Sequence, residues 1–457
     1  MPERGKDLTR TMARYAIAAH DFPALARSRA RDAIIDCVGC MVAGSAEDLA
    51  PPLVNNLPWF ERAETRFPAL MLGKDGRYAA PADAALYNGT IAHALDFDDT
   101  NHPGYAHPSA VLVAAMLALA PLAKPSGSAI IDAYIVGFEF VGKFGRALNT
   151  QHYKRGWHAT ATFGTLAAAA ACGRLLGLDE ERMVMAMGIA ASEAGGLRAN
   201  FGSMTKPLHA GLAARNGVLA ALLARDGFTA SEVAIEHRYG YVNVFNDGIG
   251  ADVETLAALG RDLEILTEHG LALKPYAACG GTHPGIEAAE LLHAELAGRT
   301  IKSVRMGVCE MAFEPLIHVM PHSPLEGKFS LHFCVAAALL YGPVSLGTFC
   351  DDKVADPRIR DLIPRMTMEV DARWKDDSEF ATEIAVTLED GSTLSRFVPL
   401  ASGKPARWFT VEHLRRKFTD CASAAWSAAR IAAVWDALVA LDGTDGCSGL
   451  LAALTRA

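Results

Sequence analysis

One pattern recurs through the first 265 residues: a short polar segment is followed at once by a long apolar segment rich in alanine. The apolar residues follow helical spacing, and the alternation typical of strands is nearly absent. Small side chains let helices pack closely against one another. The pattern therefore predicts an all-α domain to about residue 265.

The first polar segment, residues 88–110, contains three aspartates and three histidines. Carboxylates accept hydrogen bonds or protons, and imidazoles carry protons near neutral pH. A Pro-Gly pair ends any preceding helix, and Pro108 opens the next one, so we expect His107 at a helix N-terminus, where the helix dipole attracts anions and lowers an imidazole pKa. Alternatively, the aspartates only cap and turn the chain and the histidines are ordinary loop residues.

Three later polar segments have the same form, each with an ionisable residue at or just before a predicted helix. These segments are residues 151–158 with His158, 195–211 with Lys206, and 274–285 with His283. If the four helix ends converge, they form a pocket for a small polyanion. No Walker or G-x-G-x-x-G motif follows a strand, so the pattern favours a di- or tricarboxylate over a nucleotide.

The aspartates add what the cations lack, a base for a C–H proton or an orienting group for a histidine. Carbon acids beside carboxylates are weakly acidic, so their deprotonation needs cations that stabilise the enediolate. The alternative is a metal site formed by Asp96, Asp98, Asp99, His102 and His107. Neither the His-x-x-x-His spacing of a helical metal site nor an EF-hand pattern is present, so we predict no metal and no other cofactor.

The composition narrows the class of protein further. Hydrophobic residues make up 51% and charged residues 21%, which is the balance of a globular enzyme, and the net charge of −9 argues against nucleic-acid binding. Nine scattered cysteines and a polar N-terminus indicate a cytoplasmic protein, and no apolar segment is long enough for a membrane span. Cys37 and Cys40 form a CxxC within a helical pattern and are interpreted as core residues rather than a redox or metal pair.

The pattern changes near Lys274, where β-branched residues begin to alternate. Strands are predicted at residues 301–311, 366–370 and 383–398, the last with a hairpin turn at Asp390-Gly391. Helices are predicted at 286–296, 326–340 and 346–351, whereas 50–80 is predicted as a proline-broken connection. The fold class is therefore mainly α, with a large all-α helical domain (1–268), a smaller α+β domain (269–404), and a helical segment (405–457) that can pack back on the first.

Several segments together resemble the signature segments of the MmgE/PrpD family. They follow the family's order from about residue 10 to 420 and include NGTIAHALDFDDTNHPGYAHPSA, YKRGWHATATFG, NFGSMTKPLHAGLAARNG, KPYAACGGTH, PLEGKFSLHFCVAAALL and DPRIRDLIPR. The family includes 2-methylcitrate dehydratase, cis-aconitate decarboxylase and iminodisuccinate epimerase, which share proton transfer at a carbon beside a carboxylate. The resemblance implies a homodimer whose subunits have a large all-α domain and a smaller α+β lid domain, with the site between them and neither an iron–sulfur cluster nor a metal.

The resemblance also implies which residues form the site. The expected catalytic residues are Asp96, His107, His158, Lys206 and Lys274, and the expected substrate-binding residues are Thr100, Cys279 and His283. Arg155 is added to the expected substrate-binding residues as a cation close in sequence to His158. The decarboxylase branch has a histidine where this chain has Cys279, and one residue fewer between the positions of Thr100 and His107. Cys279, followed by His283, makes the chain look more like the dehydratase and epimerase branches, and the different spacing makes the match of Thr100 and His107 looser.

We therefore predict a lyase that dehydrates a hydroxylated di- or tricarboxylate. One of His107, His158 or Asp96 would abstract the proton, Lys206 and Lys274 would neutralise the enediolate, and another histidine would protonate the leaving hydroxyl. The first alternative is an epimerase that returns the proton to the opposite face. A decarboxylase and a non-catalytic carboxylate-binding protein are the further alternatives.

Overall fold

A computed structural model describes residues 7–59, 67–73, 76–247, 251–376, 379–443 and 446–455. Its α-helices are α1 Leu8–Ala18, α2 Ala24–Gly44, α3 Ala50–Asn56, α4 Pro81–Ala92, α5 Pro108–Ala123, α6 Gly127–Leu148, α7 Gln151–Lys154, α8 Ala159–Leu175, α9 Glu180–Glu193, α10 Thr205–Arg225, α11 Tyr241–Asn246, α12 Val253–Ala257, α13 His283–Leu296, α14 Pro324–Gly327, α15 Leu331–Tyr341, α16 Asp351–Val354, α17 Pro357–Leu362, α18 Val411–Ala422, α19 Ala428–Val439 and α20 Gly446–Thr455. Its strands are β1 Ala69–Leu70, β2 Tyr78–Ala79, β3 Thr100–Asn101, β4 Leu271–Ala272, β5 Ile301–Val308, β6 Met366–Val370, β7 Thr382–Leu388 and β8 Thr393–Val398. Helices dominate and the sheets are small, which confirms the mainly α fold class.

The chain folds into two compact units, and the second is inserted in the sequence of the first. The first unit comprises Met1–Leu273 and Phe409–Ala457, and the second comprises Lys274–Trp408. Helices α18, α19 and α20 therefore belong to the first unit, together with α1 to α12.

Small residues bring α4, α8 and α10 close together in the first unit. A Cβ on Gly211 of α10 would overlap the carbonyl oxygen of Leu86 in α4, and a Cβ on Gly217 would overlap Ala168 in α8. Glycine at these positions removes the side chain that would hold the helices apart. Helix α5, which is apolar on all sides, is buried from Pro108 to Ala120 and contacts both α8 and α10. The helices that follow the first three polar segments thus share one core.

The structure corrects three predictions on helices. The segment 50–80 begins with α3, because its two prolines lie in the first helical turn, where a missing N–H costs no hydrogen bond; residues 60–66 and 74–75 of that segment lie outside the described residues. The predicted helix 326–340 is divided into α14 and α15, because the hydroxyl of Ser330 accepts from the Phe333 N–H at 3.1 Å and caps a new helix. In the predicted helix 346–351, only Leu346–Thr348 form a 3-10 turn, and Asp351 already begins α16.

Within the described residues of the second unit, the sheet has four strands in the order β6-β5-β7-β8. Strand β5 pairs in parallel with β6 and antiparallel with β7, and β7 and β8 form the predicted hairpin. Alternate residues of β7 are buried, and α13 packs on β7 and β8. The α+β character of this part of the chain is thus confirmed, although the first predicted strand ends earlier, at Val308.

Helix α18 joins the C-terminal segment to the core of the first unit through a buried lysine. Lys417 Nζ lies 2.6 Å from Asp36 Oδ1 in α2 and donates to the carbonyl oxygen of Phe97 at 2.8 Å. Phe97 belongs to the first polar segment, so the buried Lys417 of α18 supports the backbone of that segment from the protein interior. Cys37 and Cys40 of α2 are both buried, as their interpretation as core residues predicted.

Among the described residues, none of the helices combines the length and the apolar character that a bilayer crossing requires.

Candidate active site

Three residues predicted to begin helices do so in the first unit. His107 is the N-cap of α5, His158 is the N-cap of α8, and Lys206 lies in the first turn of α10. These helices pack against one another, and their N-terminal N–H groups favour negative charge. In the second unit, His283 is the first residue of α13, which confirms the fourth placement.

Asp96 and Lys206 form an ion pair that joins the first polar segment to the third. The Nζ atom lies 2.6 Å from Oδ1, and the two side chains are only 15% and 16% exposed. Asp96 has a φ of 53°, in the left-handed region that aspartate adopts more readily than most residues. The ring of Phe201 lies 5.4 Å from the Lys206 ammonium and 4.9 Å from the ring of His158, so an aromatic side chain borders the pair.

One ring nitrogen of His107 is engaged in a hydrogen bond to the backbone. Its Nδ1 lies 2.9 Å from the carbonyl oxygen of Asp99, which can only accept, so Nδ1 is assigned the proton. In the neutral ring Nε2 then carries the lone pair, and it lies 3.9 Å from Asp96 Oδ1. The backbone N–H of His107 donates to the Thr160 hydroxyl at 3.1 Å. This arrangement presents Nε2 as a proton acceptor beside the Asp96–Lys206 pair.

His158 lies against His209, a residue that the sequence reasoning did not select. Their Nδ1 atoms are 3.1 Å apart, so one nitrogen donates to the other. Burial lowers the pKa of His158 well below its ordinary value, and the neighbouring His93 and Lys206 act in the same direction. Burial and the charge of His93 also lower the pKa of His209. Both rings are therefore neutral near pH 7.

His93 is a second residue that the sequence reasoning did not assign. Its Nδ1 lies 2.9 Å from each carboxylate oxygen of Asp98, and neither side chain is exposed to solvent. The Nε2 atom of His93 is buried and has no hydrogen-bond partner within the described part of the chain. The rings of His93 and His107 are 4.4 Å apart, so this pair lies directly beside the predicted site.

Asp99 makes a capping contact, which agrees with the alternative that the aspartates cap and turn the chain. Asp99 Oδ1 accepts from the Ser109 N–H at 3.0 Å in the first turn of α5. Burial, and then the charge of Asp98, raises the pKa of the Asp99 carboxyl well above its ordinary value. The ring of His102 contacts Tyr105 at 5.7 Å and His269 at 5.6 Å.

Among the described residues, the ligand atoms close enough together to share a metal ion belong to His93, Asp98 and His107, within 4.8 Å of one another. This set differs from the metal alternative drawn from the sequence, because it includes His93 and omits Asp96, Asp99 and His102. The Nδ1 atoms of both histidines are already engaged in hydrogen bonds. A metal bound through these Nδ1 atoms would have to replace those bonds, and we assign no step to one.

Two predicted substrate-binding residues have well-defined neighbours in the first unit. Thr100 lies in β3 and pairs with Ala272 of β4. Arg155 forms an ion pair with Asp247, and within the described residues this pair is its ionic contact. Its role in substrate binding stays a prediction.

The other predicted site residues belong to the second unit: Lys274 and Cys279 lie in the segment that leads into α13, and His283 is the first residue of that helix. Lys274 is buried. The Cys279 N–H donates to the carbonyl oxygen of Lys328 at 2.9 Å. His283 Nε2 lies 3.0 Å from the carbonyl oxygen of Ala278, so this nitrogen is a donor.

The fold and the site define a class of protein with two units, mainly α, whose first unit gathers imidazoles, a carboxylate and a lysine at helix N-termini. Family models identify this class. The model described as the MmgE/PrpD N-terminal domain matches residues 9–254, and the model of the MmgE/PrpD C-terminal domain matches residues 276–440. The chain therefore belongs to the MmgE/PrpD family, as the sequence motifs predicted.

Relatives with assigned activities match most of the chain. It is 28% identical to the cis-aconitate decarboxylase of Aspergillus terreus over 95% of its own length and 93% of that protein. It is 28% identical to the cis-aconitate decarboxylase of Homo sapiens over 81% of its length and 78% of that protein. The identity to the 2-methylcitrate dehydratase of Cupriavidus necator is 26% over 85% of the chain and 83% of that protein. These family members are lyases.

Proposed function

We propose that the protein is a cofactor-independent lyase that removes a proton beside a carboxylate and dehydrates a hydroxylated di- or tricarboxylate. The observation that carries this proposal is the position of His107 Nε2 next to the Asp96–Lys206 ion pair. A proton acceptor and a cation thus lie side by side at helix N-termini, where a carboxylate ligand is favoured. Deprotonation of a weak carbon acid needs both groups.

In the proposed reaction, His107 Nε2 takes the proton from the carbon beside the carboxylate. The electron pair left behind forms an enediolate, whose negative charge Lys206 stabilises while Asp96 holds the ammonium in place. The bond to the hydroxyl on the next carbon then breaks and a double bond forms. The leaving oxygen takes the proton from His107 and departs as water.

This role for His107 follows from the state of the neighbouring rings. Burial keeps His158 and His209 neutral, so near pH 7 they act as hydrogen-bonding groups and are poor acids. The proton that His107 has just accepted is therefore the one available to the leaving hydroxyl. This assignment replaces the expectation that a separate histidine protonates the leaving group.

Decarboxylation of an unsaturated tricarboxylate is the second candidate, because the relatives named cis-aconitate decarboxylases match the chain over most of its length. In that reaction a carbon–carbon bond breaks, CO₂ leaves, and the resulting carbanion takes a proton. The feature that favours dehydration is Cys279, which stands where the decarboxylase branch has a histidine.

The test is incubation of the protein in deuterated water with citrate, 2-methylcitrate, cis-aconitate or iminodisuccinate, followed by NMR. We expect a new alkene signal from a hydroxylated acid and no CO₂. Release of CO₂ from cis-aconitate would replace dehydration with decarboxylation. Deuterium in recovered substrate without an alkene would replace it with epimerisation. Ligand-induced stabilisation without exchange or turnover would show a binding protein and overturn the enzymatic proposal.

The role of Lys206 is tested with the variant Lys206→Met, which removes the cation and keeps a side chain of similar length. If this variant turned over at the rate of the native protein, the assignment of Lys206 to the enediolate would be wrong.

A further inference from the structure

Asp98 lies between two histidines of the first polar segment. On one side, both of its oxygens are 2.9 Å from Nδ1 of His93. On the other side, Oδ2 is 3.5 Å from Nδ1 of His107. The two imidazole rings are 4.4 Å apart, so one carboxylate serves both.

The protonation of these atoms follows from what each can accept. An ionised carboxylate has no hydrogen to donate, so Nδ1 of His93 must carry one. His107 Nδ1 faces the carbonyl oxygen of Asp99 and the carboxylate of Asp98, which are both acceptors, so it must carry one as well. Both acceptors therefore favour the same tautomer of His107, with the lone pair on Nε2.

Because the His93–Asp98 pair is buried, the loss of either partner would destabilise the protein. The side chains of His93 and Asp98 have no exposed surface, and a carboxylate without partners in such a place is strongly destabilising. His93 satisfies the Asp98 carboxylate, because its Nδ1 lies 2.9 Å from each of the two carboxylate oxygens. The pair therefore holds the Asp98 carboxylate beside Nδ1 of His107.

We propose that Asp98, itself held by His93, is the positioning residue that fixes the proton of His107 on Nδ1 and so makes Nε2 the proton-accepting atom. A carboxylate partner orients an imidazole and raises its basicity, and the loss of such partners typically costs about 10- to 100-fold in activity. The proposal rests on the role of His107 as the base in the proposed function. It assigns His93 and Asp98 an effect on the chemical step, whereas a purely structural pair would affect only stability.

The first measurement needs neither a variant nor a substrate. NMR of the native protein labelled with ¹⁵N-histidine distinguishes protonated from unprotonated ring nitrogens, and His107→Gln identifies the signals of His107. We expect a protonated Nδ1 and an unprotonated Nε2 in the native protein at neutral pH. A His107 with its proton on Nε2 alone would overturn the proposal, whatever the protein's reaction proves to be.

The second measurement uses Asp98→Asn, which keeps the shape of the side chain and removes its charge, and His93→Gln. The matched control is His152→Gln, which also removes a buried histidine of the first unit but one whose nitrogens face the Phe245 carbonyl oxygen and the Thr162 hydroxyl. We expect kcat to fall about 10- to 100-fold in both test variants, with KM within about threefold of the native value. His152→Gln should lower the melting temperature and leave kcat nearly unchanged.

The outcomes separate this inference from the proposed function. If native protein turns over a polycarboxylate but both test variants match His152→Gln in kcat, the positioning role is refuted and the lyase stands. If no polycarboxylate is turned over, the proposed function fails, while the NMR result still decides the tautomer of His107. If chelators abolish the activity of the purified protein and Zn²⁺ restores it through His93, Asp98 and His107, these residues form a metal site and the positioning role is wrong.

Discussion

Replacing Lys417 by methionine should make the free energy of unfolding fall between pH 6 and pH 8. In the native protein, where Lys417 is paired with Asp36, Asp36 causes no such fall in this range. Lys417 and Asp36 are 7% and 2% exposed, and their charged atoms are 2.6 Å apart. Burial raises the pKa of Asp36 to about 6, and the charge of Lys417 opposes this rise. In Lys417→Met the opposing charge is gone, so the pKa of Asp36 rises further.

The sign and size of the effect follow from proton binding. The folded protein holds the Asp36 proton more tightly than the unfolded chain, whose carboxyl has the ordinary pKa of 3.8. Asp36 therefore lowers the free energy of unfolding as the pH rises from 3.8 to about 6, and has a constant effect above that. In the variant the decline continues above pH 6, at about 1.4 kcal/mol per pH unit. Between pH 6 and pH 8 the variant should lose up to about 3 kcal/mol relative to the native protein.

The assay is urea unfolding, followed by circular dichroism at pH 6, 7 and 8. The double variant Asp36→Asn/Lys417→Met is the control, because it lacks the titrating carboxyl and should show the same deficit at every pH. A difference between Lys417→Met and the native protein that stays constant over this range would refute the reasoning. Since Lys417 also donates to Phe97 between Asp96 and Asp98, kcat should fall in the single variant as well.

Three further substitutions have direct expectations. Lys206→Met should lower kcat about 100- to 1000-fold, as the loss of a group that stabilises an oxyanion does, which steady-state kinetics at saturating substrate would measure. Gly211→Ala should lower the free energy of unfolding by about 1–3 kcal/mol, because the new Cβ overlaps the Leu86 carbonyl oxygen; a fully native urea midpoint would contradict this. Ser330→Ala removes the cap on the Phe333 N–H and should cost about 1 kcal/mol, again measured by urea unfolding, with Ser330→Asn expected to retain most of the stability.

The helix starts of the site were predictable because they depend on local sequence. A polar residue followed by proline, as at His107, or by an apolar helical run, as at His158, marks a helix N-terminus with a definite physical cause. The capping contact of Asp99 is not local in this sense, since its carboxylate accepts from the Ser109 N–H ten residues on, whereas the N-cap residue of α5 is His107. Local rules thus located the ends of the helices but not every side chain that the packing brings to them.

The two missed histidines differ in how readily they could have been found. His209 follows Lys206 by three residues on α10, and residues at this spacing share a helix face. Applying that rule to the third polar segment would have placed His209 beside the lysine. His93 ends α4, and it reaches Asp98 across a turn in which Asp96 has a positive φ. No local rule predicts that conformation for an aspartate.

Arg155 shows the limit set by long-range pairing. Its proximity in sequence to His158 suggested a cation directed at the substrate, and that role stays a prediction. Its ion pair with Asp247, 92 residues further along the chain, is a contact that the sequence reasoning did not indicate. The sequence contains both charges but not the path of the chain that brings them together.

The most direct test of proton abstraction by His107 is the fate of a deuterium atom. Citrate and 2-methylcitrate deuterated at the carbons beside their carboxylates would be incubated in ordinary water with the native protein and with His107→Gln, and the deuterium released to solvent would be counted by NMR. Native protein should release deuterium as the alkene forms, and His107→Gln should still bind the acid but release it at least about 100-fold more slowly. Retention of deuterium during native turnover, or release at the native rate by His107→Gln, would contradict proton abstraction by this histidine.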